Sequence, residues 1–92
     1  MTPQHYIVVI TAPAARAISE TLPDKVAFAV IDFVLGPLAE SPKRVGVPLR
    51  GSLEGVWSAR RGTYRVLYRI EEGAREVIVL RVAHRRDAYR AG

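Results

Sequence analysis

The sequence predicts an α+β fold whose elements run β-α-α-β-β-β, with a mainly antiparallel sheet and a helical hairpin packed on one sheet face. Three observations predict it. A β-branched apolar run, HYIVVIT, occupies residues 5–11. Apolar residues then recur at helical spacing up to about residue 40. Between residues 55 and 83, three short strand-like segments are separated by glycine-containing turns.

In chain order, residues 5–11 read as a buried strand. Thr11 is placed to cap a helix beginning near Pro13, because proline suits the first helical turn. That helix covers roughly residues 12–20 and breaks at Leu22-Pro23. Pro23 and Asp24 open a second helix running to about Glu40. Val26, Val30, Phe33 and Val34, with Ala27, Ile31 and Leu38 beside them, give it a broad apolar face, and Gly36-Pro37 predicts a kink. Residues 41–55 carry Pro, Gly and Ser at short intervals and read as a loop. Strands are expected at about 55–61, 63–71 and 75–83, with turns at Arg61-Gly62-Thr63 and Glu71-Glu72-Gly73-Ala74. No internal repeat or linker interrupts the chain, so one domain over 1–92 is expected.

Period-two alternation sorts the side chains of the third predicted strand. Tyr64, Val66, Tyr68 and Ile70 share one face and are expected under the helices. Thr63, Arg65, Leu67 and Arg69 share the other. On the neighbouring strand Ser58 and Arg60 alternate with Trp57, Ala59 and Arg61, while Arg81 lies on the last strand and Arg85, Arg86 and Arg90 follow it. The uncovered sheet face and the tail are therefore expected to form one basic surface.

Charge is distributed unevenly. The net charge is +5. Residues 1–46 carry Arg16, Lys25, Lys43 and Arg44 against Glu20, Asp24, Asp32 and Glu40, and sum to zero. Residues 47–92 carry ten arginines against five acids, and so hold the whole excess. Arginine pairs bidentately with phosphate and stacks on bases, so the excess points to an anionic partner, nucleic acid first. A high genomic G+C content would raise arginine over lysine, but it does not explain why the acids fail to balance this half. There are no cysteines, which excludes disulfides, thiolate chemistry and cysteine zinc sites. The N-terminal MTPQHYIVVITAP lacks a signal-peptide pattern, and no apolar run approaches membrane-spanning length, so a cytoplasmic location away from membranes is expected.

Carboxylate pairs at useful spacing, His-rich metal motifs, glycine-rich phosphate loops and a Ser-His-Asp order are all missing, so neither a metal nor another cofactor is expected. RNA cleavage demands less, because the substrate brings its own nucleophile, the 2′-hydroxyl. Converging arginines can stabilise charge on the phosphate oxygens. Arginine stays protonated and cannot readily act as a base. His84 or Tyr89 could transfer protons or stack on a displaced base.

The run from Leu53 to Tyr68 resembles the core pattern "L-x-G-x-W-x-x-R-x-G-x-Y-R-V-x-Y" of the RelE family of bacterial toxins. Val82 to Arg90 resembles that family's ending "V-x-H-R-R-D-x-Y-R", and Pro42 to Gly51 fits its loop "P-x-R-x-G-x-P-L-R-G". The resemblance covers nearly the whole chain in order and is nearest to mycobacterial and actinobacterial RelE-type toxins of the RelE/ParE superfamily. It implies a RelE-like fold and the toxin of a type II toxin–antitoxin pair: an endoribonuclease that cuts mRNA, typically in the ribosomal A site, and is silenced by a small, acidic cognate antitoxin. By this resemblance Arg60 is a basic position on the catalytic face and Arg65 binds phosphate. Arg85 acts as general acid or stabilises the leaving group, and Tyr89 stacks on or orients the substrate. Arg61, Arg69, Arg81, Arg86, Lys43 and Arg44 are the further candidates for contact with the RNA backbone. Ser58 departs from the pattern, standing where active members often carry a second basic residue, which leaves the general base unassigned. Two other functions fit the scaffold: a ParE-like, non-enzymatic gyrase inhibitor, and an inactive antitoxin-binding module that acts as co-repressor on promoter DNA.

Overall fold

A computed structural model describes residues 5–84. Arg85, Arg86, Tyr89 and Arg90, singled out from the sequence, lie outside the described residues. Among the described residues a five-stranded sheet has the order β1-β5-β4-β3-β2, built from β1 (Ile7–Ile10), β2 (Val47–Pro48), β3 (Trp57–Arg61), β4 (Tyr64–Glu71) and β5 (Glu76–His84). Only β1 and β5 run parallel; every other neighbouring pair is antiparallel. One face is covered by α1 (Ala12–Arg16), which continues as a π-helical turn over Ala17–Thr21, and α2 (Asp24–Phe33), which continues likewise over Val34–Leu38. The architecture is α+β with helices on one sheet face, as the sequence predicts.

Each helix changes form for a local reason. Pro37 has no amide to donate to Phe33, so the i→i−4 ladder of α2 loosens into wider turns there. At the end of α1 the Leu22 amide reaches back five residues to the Ala17 carbonyl (2.9 Å), and Pro23 blocks continuation. Ala14, Leu22, Ala27, Val30, Phe33, Val34 and Leu38 form the helical side of the core. Ala59, Val66, Tyr68, Val77, Val79 and Val82 form the sheet side. Tyr64, Val66, Tyr68 and Ile70 thus face the helices, as alternation requires.

Three local expectations are corrected. The first strand is not buried: among the described residues it is the sheet edge, paired to β5 alone, and Ile7, Val9 and Ile10 are exposed while Tyr6 and Val8 pack on the core. Thr11 stands at the start of α1 but does not cap it. Its hydroxyl lies 2.9 and 3.1 Å from the carbonyls of Val79 and Leu80 and ties the helix start to β5. Residues 41–55 are not one loop; they contain the short helix α3 (Pro42–Val45), the two-residue β2 paired with Trp57 and Ser58, and a 3-10 turn over Gly51–Leu53.

Candidate nucleic-acid interface

The β3–β4 hairpin turns tightly at Gly62, whose φ of 60° lies in the left-handed region that glycine adopts without strain. Its register sets Arg60 directly opposite Arg65, and Ser58 opposite Leu67. Directly opposed residues share a face, with Cβ atoms roughly 5 Å apart. Ser58, Arg60, Arg65, Leu67 and Arg69 therefore all lie on the sheet face that the helices leave open.

β5 joins this face through an irregularity. Leu67 pairs with Arg81 but the next residue, Tyr68, pairs with Val79, so Leu80 and Arg81 together oppose one residue. This is a β-bulge, which re-aims the residues on one side of it. Before the bulge the odd-numbered Val77 and Val79 are buried under the helices; after it the even-numbered Val82 is. The shift turns Arg81 to the open face, across from Leu67, with Ala83 opposite Arg65. Arg60, Arg65 and Arg81 thus come from three adjacent strands onto one surface.

The two hairpin arginines lean apart. The Arg65 guanidinium donates through Nη1 to Ser58 Oγ (3.2 Å), back along β3. Arg60 Nε points the other way, donating a long bond to the Gly62 carbonyl in the turn (3.5 Å). Ser58, which the sequence marks as a departure from the basic pattern and places in alternation with Arg60, is 2% exposed and takes part in this arrangement. The signal was present: Ser58 shares the parity of Arg60, and only the pairing register with Arg65 was missing.

Other candidates sit elsewhere. The Arg61 guanidinium lies 4.3 Å from the Phe33 ring centre, on the helix side. It borders a mostly apolar cleft of about 600 Å³ between α2 and the β3–β4 turn. His84 pairs with Tyr64, and their rings meet edge to face at 5.6 Å. That places His84 on the covered face, beside α1 and away from Arg65. Arg69 is exposed on the open face and folds its guanidinium over Gly55. Lys43 and the exposed Arg44 belong to α3 at the other end of the sheet. There Lys43 pairs with Glu72 (2.6 Å), which also accepts a hydrogen bond from the Tyr6 hydroxyl (2.9 Å). The Lys43 bond, then the Tyr6 bond, hold Glu72 below the usual carboxylate range. Among the described residues no group of three or more His, Cys, Asp or Glu is placed to hold a metal ion, and no helix is long and apolar enough to cross a membrane.

Residues 5–89 match the family described as the ParE toxin of the type II toxin–antitoxin system parDE. The chain is 51% identical over 85 residues to Toxin RelE of Mycobacterium tuberculosis, a match covering 92% of this chain and 87% of that protein. It is 49% identical to Toxin RelG of the same organism, covering 92% of this chain and 97% of the relative. A RelBE toxin–antitoxin complex from Mycobacterium tuberculosis contains a chain that superposes with a TM-score of 0.83 at 48% identity, covering 87% of this chain and 91% of that one. The isolated RelE toxin of E. coli shares the fold, with a TM-score of 0.71 at 20% identity, over 94% of this chain and 87% of that one. On these matches the chain belongs to the RelE/ParE family of toxins of type II toxin–antitoxin systems.

Proposed function

We propose that the chain is an endoribonuclease that stops translation by cutting mRNA, at the ribosomal A site, without a metal cofactor. The observation that carries this reading is the meeting of Arg60, Arg65 and Arg81 on one open sheet face, two of them directly opposed across a hairpin. Such a cluster suits one phosphodiester: guanidinium groups neutralise the phosphate oxygens and the charge that builds on them during displacement.

In the proposed reaction the 2′-oxygen attacks the adjacent phosphorus as its own proton leaves. The new O2′–P bond forms, the P–O5′ bond breaks, and the 5′-oxygen takes up a proton. The products are a 2′,3′-cyclic phosphate and a 5′-hydroxyl. Arg65 and Arg60 hold the non-bridging oxygens, and Arg81 and Arg69 guide the neighbouring backbone. Arg85 stabilises the leaving oxygen and Tyr89 orients the substrate, both in the segment that carries the family's ending pattern, with Arg86 as a further backbone contact. His84 on β5 packs against its cross-strand partner Tyr64 on β4, on the covered face, so proton transfer by its imidazole requires RNA to reach around the strand. Lys43 and Arg44 lie on α3, remote from the cluster, with Lys43 paired to Glu72, and neither is assigned a contact with the RNA.

The partner that silences the toxin is a cognate antitoxin, a small acidic protein. The similarity to the toxin of a RelBE complex supports this, and the joint complex is proposed to bind its own promoter DNA in the cytoplasm. Primer extension on mRNA, with and without ribosomes, tests the activity. Discrete cuts that vanish in Arg65→Ala and Arg85→Ala support it; cuts unchanged in both variants overturn the site. The match to a family described by its ParE members favours a second reading, inhibition of gyrase. Gyrase-linked DNA breaks with intact mRNA would select it, and no growth arrest without antitoxin would leave an inactive binding module.

A further inference from the structure

We infer that Ser58 is a positioning residue that sets the Arg65 guanidinium and thereby holds open a phosphate-sized gap between Arg65 and Arg60. The inference rests on the proposed RNA-binding role of the arginine face. Two guanidinium groups on directly opposed residues start roughly 5 Å apart at their Cβ atoms. Each carries a full positive charge, and each has several rotatable bonds. Nothing in a plain hairpin fixes where such groups end. Here both ends are set by neighbours. Arg65 Nη1 donates to Ser58 Oγ, on the residue two positions before its direct partner Arg60. Arg60 Nε donates to the Gly62 carbonyl, two positions after itself. One pleat repeat along a strand is about 6.6 Å. The two bonds therefore draw the guanidinium groups in opposite directions along β3.

The sequence departure at Ser58 fits this role. A lysine there would stand beside Arg65 as a like charge and would have no lone pair to offer it. A serine hydroxyl accepts from a guanidinium, and at 2% exposure its position is set by packing and is little affected by solvent. A hydrogen bond from a charged donor to a fixed acceptor restrains a long side chain whose free rotamers would otherwise be lost on binding. Pre-ordering of this kind strengthens ligand binding with no new contact to the ligand.

The test compares Ser58→Ala, Ser58→Cys and Ser58→Thr in the full chain. Cysteine keeps the side-chain volume with a weak acceptor, so it serves if alanine disturbs the strand; threonine keeps the hydroxyl. The first readout is the Arg65 Nε–Hε NMR signal of the free protein. It is expected to be distinct in the parent and in Ser58→Thr, and shifted and less ordered than the parent in Ser58→Ala and Ser58→Cys. The second is affinity for a 2′-O-methyl RNA trinucleotide, which cannot be cleaved. It is expected to fall about tenfold in Ser58→Ala and Ser58→Cys, to hold in Ser58→Thr, and to show no further loss when Ser58→Ala is added to Arg65→Ala. An Arg65 signal equally ordered in the alanine and cysteine variants overturns the inference, as does an equal affinity loss with and without Arg65. If Arg65→Ala alone leaves trinucleotide binding unchanged, the RNA-interface reading fails, and the NMR signal still decides whether Ser58 positions Arg65.

Discussion

Tyr68 shows how a single residue ties α3 to the core of the sheet. Its side chain is fully buried on the helix side of β4, and its hydroxyl donates to the Pro42 carbonyl (2.5 Å), anchoring α3 to the sheet. Burial pushes the phenol up to about 12 from an ordinary 10.0. The folded chain thus holds this proton more tightly than the unfolded chain does. The resulting stability is complete below about pH 10, drains as pH rises, and is gone above about pH 12. A two-unit shift corresponds to about 3 kcal/mol. Urea denaturation at pH 9 and pH 11.5 should show a steeper alkaline loss in the parent than in Tyr68→Phe; parallel losses would refute the assignment. Gly46 packs against the same hydroxyl. A Cβ there would meet Tyr68 Oη and come 2.8 Å from the Ser58 carbonyl. Gly46→Ala is expected to lower stability by about 2 kcal/mol through overpacking. Adding Tyr68→Phe should recover part of that loss, because it removes the atom the new methyl meets first. A fully additive double variant, measured by urea midpoints, would show that the clash lies elsewhere.

Among the elements, what was legible in the sequence followed period and length. β3 and β4 were readable because two short strand-like runs, Trp57 to Arg61 and Tyr64 to Ile70, flank a glycine turn, and Tyr64, Val66, Tyr68 and Ile70 recur at every second position. The helices were readable from Val26, Val30, Phe33 and Val34, and the change of form at Gly36-Pro37 from the missing proline amide. β1 misled, because a continuous run such as IVVI looks the same whether both faces or only one is covered, and its edge position depends on a partner about 70 residues away. α3 and β2 are too short to show any period. The bulge was invisible for a different reason: it shifts alternation by a single residue, and nothing local in Leu80-Arg81 marks it. Yet it decides the site, since in unbroken register Arg81 would fall on the face of Val77 and Val79. Arg81→Ala should weaken RNA binding and lower the slope of log affinity against log salt by about 0.7, the share of one single-strand phosphate contact. Lys43→Ala should leave affinity and slope unchanged, because Lys43 is paired with Glu72, which follows the far end of β4, seven residues from Arg65, or roughly 23 Å of extended chain. A Lys43 variant as damaging as the Arg81 variant would move the interface to the other end of the sheet.

In the whole molecule, charge and architecture divide the chain in the same place. The neutral first half supplies the helices that cover one sheet face, and the second half, which carries all of the +5, supplies β3, β4 and β5 and the open face. Arginines on neighbouring strands repel one another in the free protein and attract phosphate in the complex, so salt acts with opposite sign on the two states. Screening by added salt relieves repulsion within the sheet and should raise the urea midpoint of the free toxin. The same salt should weaken binding to single-stranded RNA, as the counterions that bound RNA releases become harder to release. Both effects trace to the same side chains. Replacing Arg60, Arg65 and Arg81 together by alanine is therefore expected to flatten the salt dependence of stability and, in parallel, to reduce the binding slope by about 2, three contacts at roughly 0.7 each. Measured as urea midpoints and RNA titrations across 50 to 500 mM salt, a triple variant that loses one dependence and keeps the other would separate the charge that strains the fold from the charge that grips RNA.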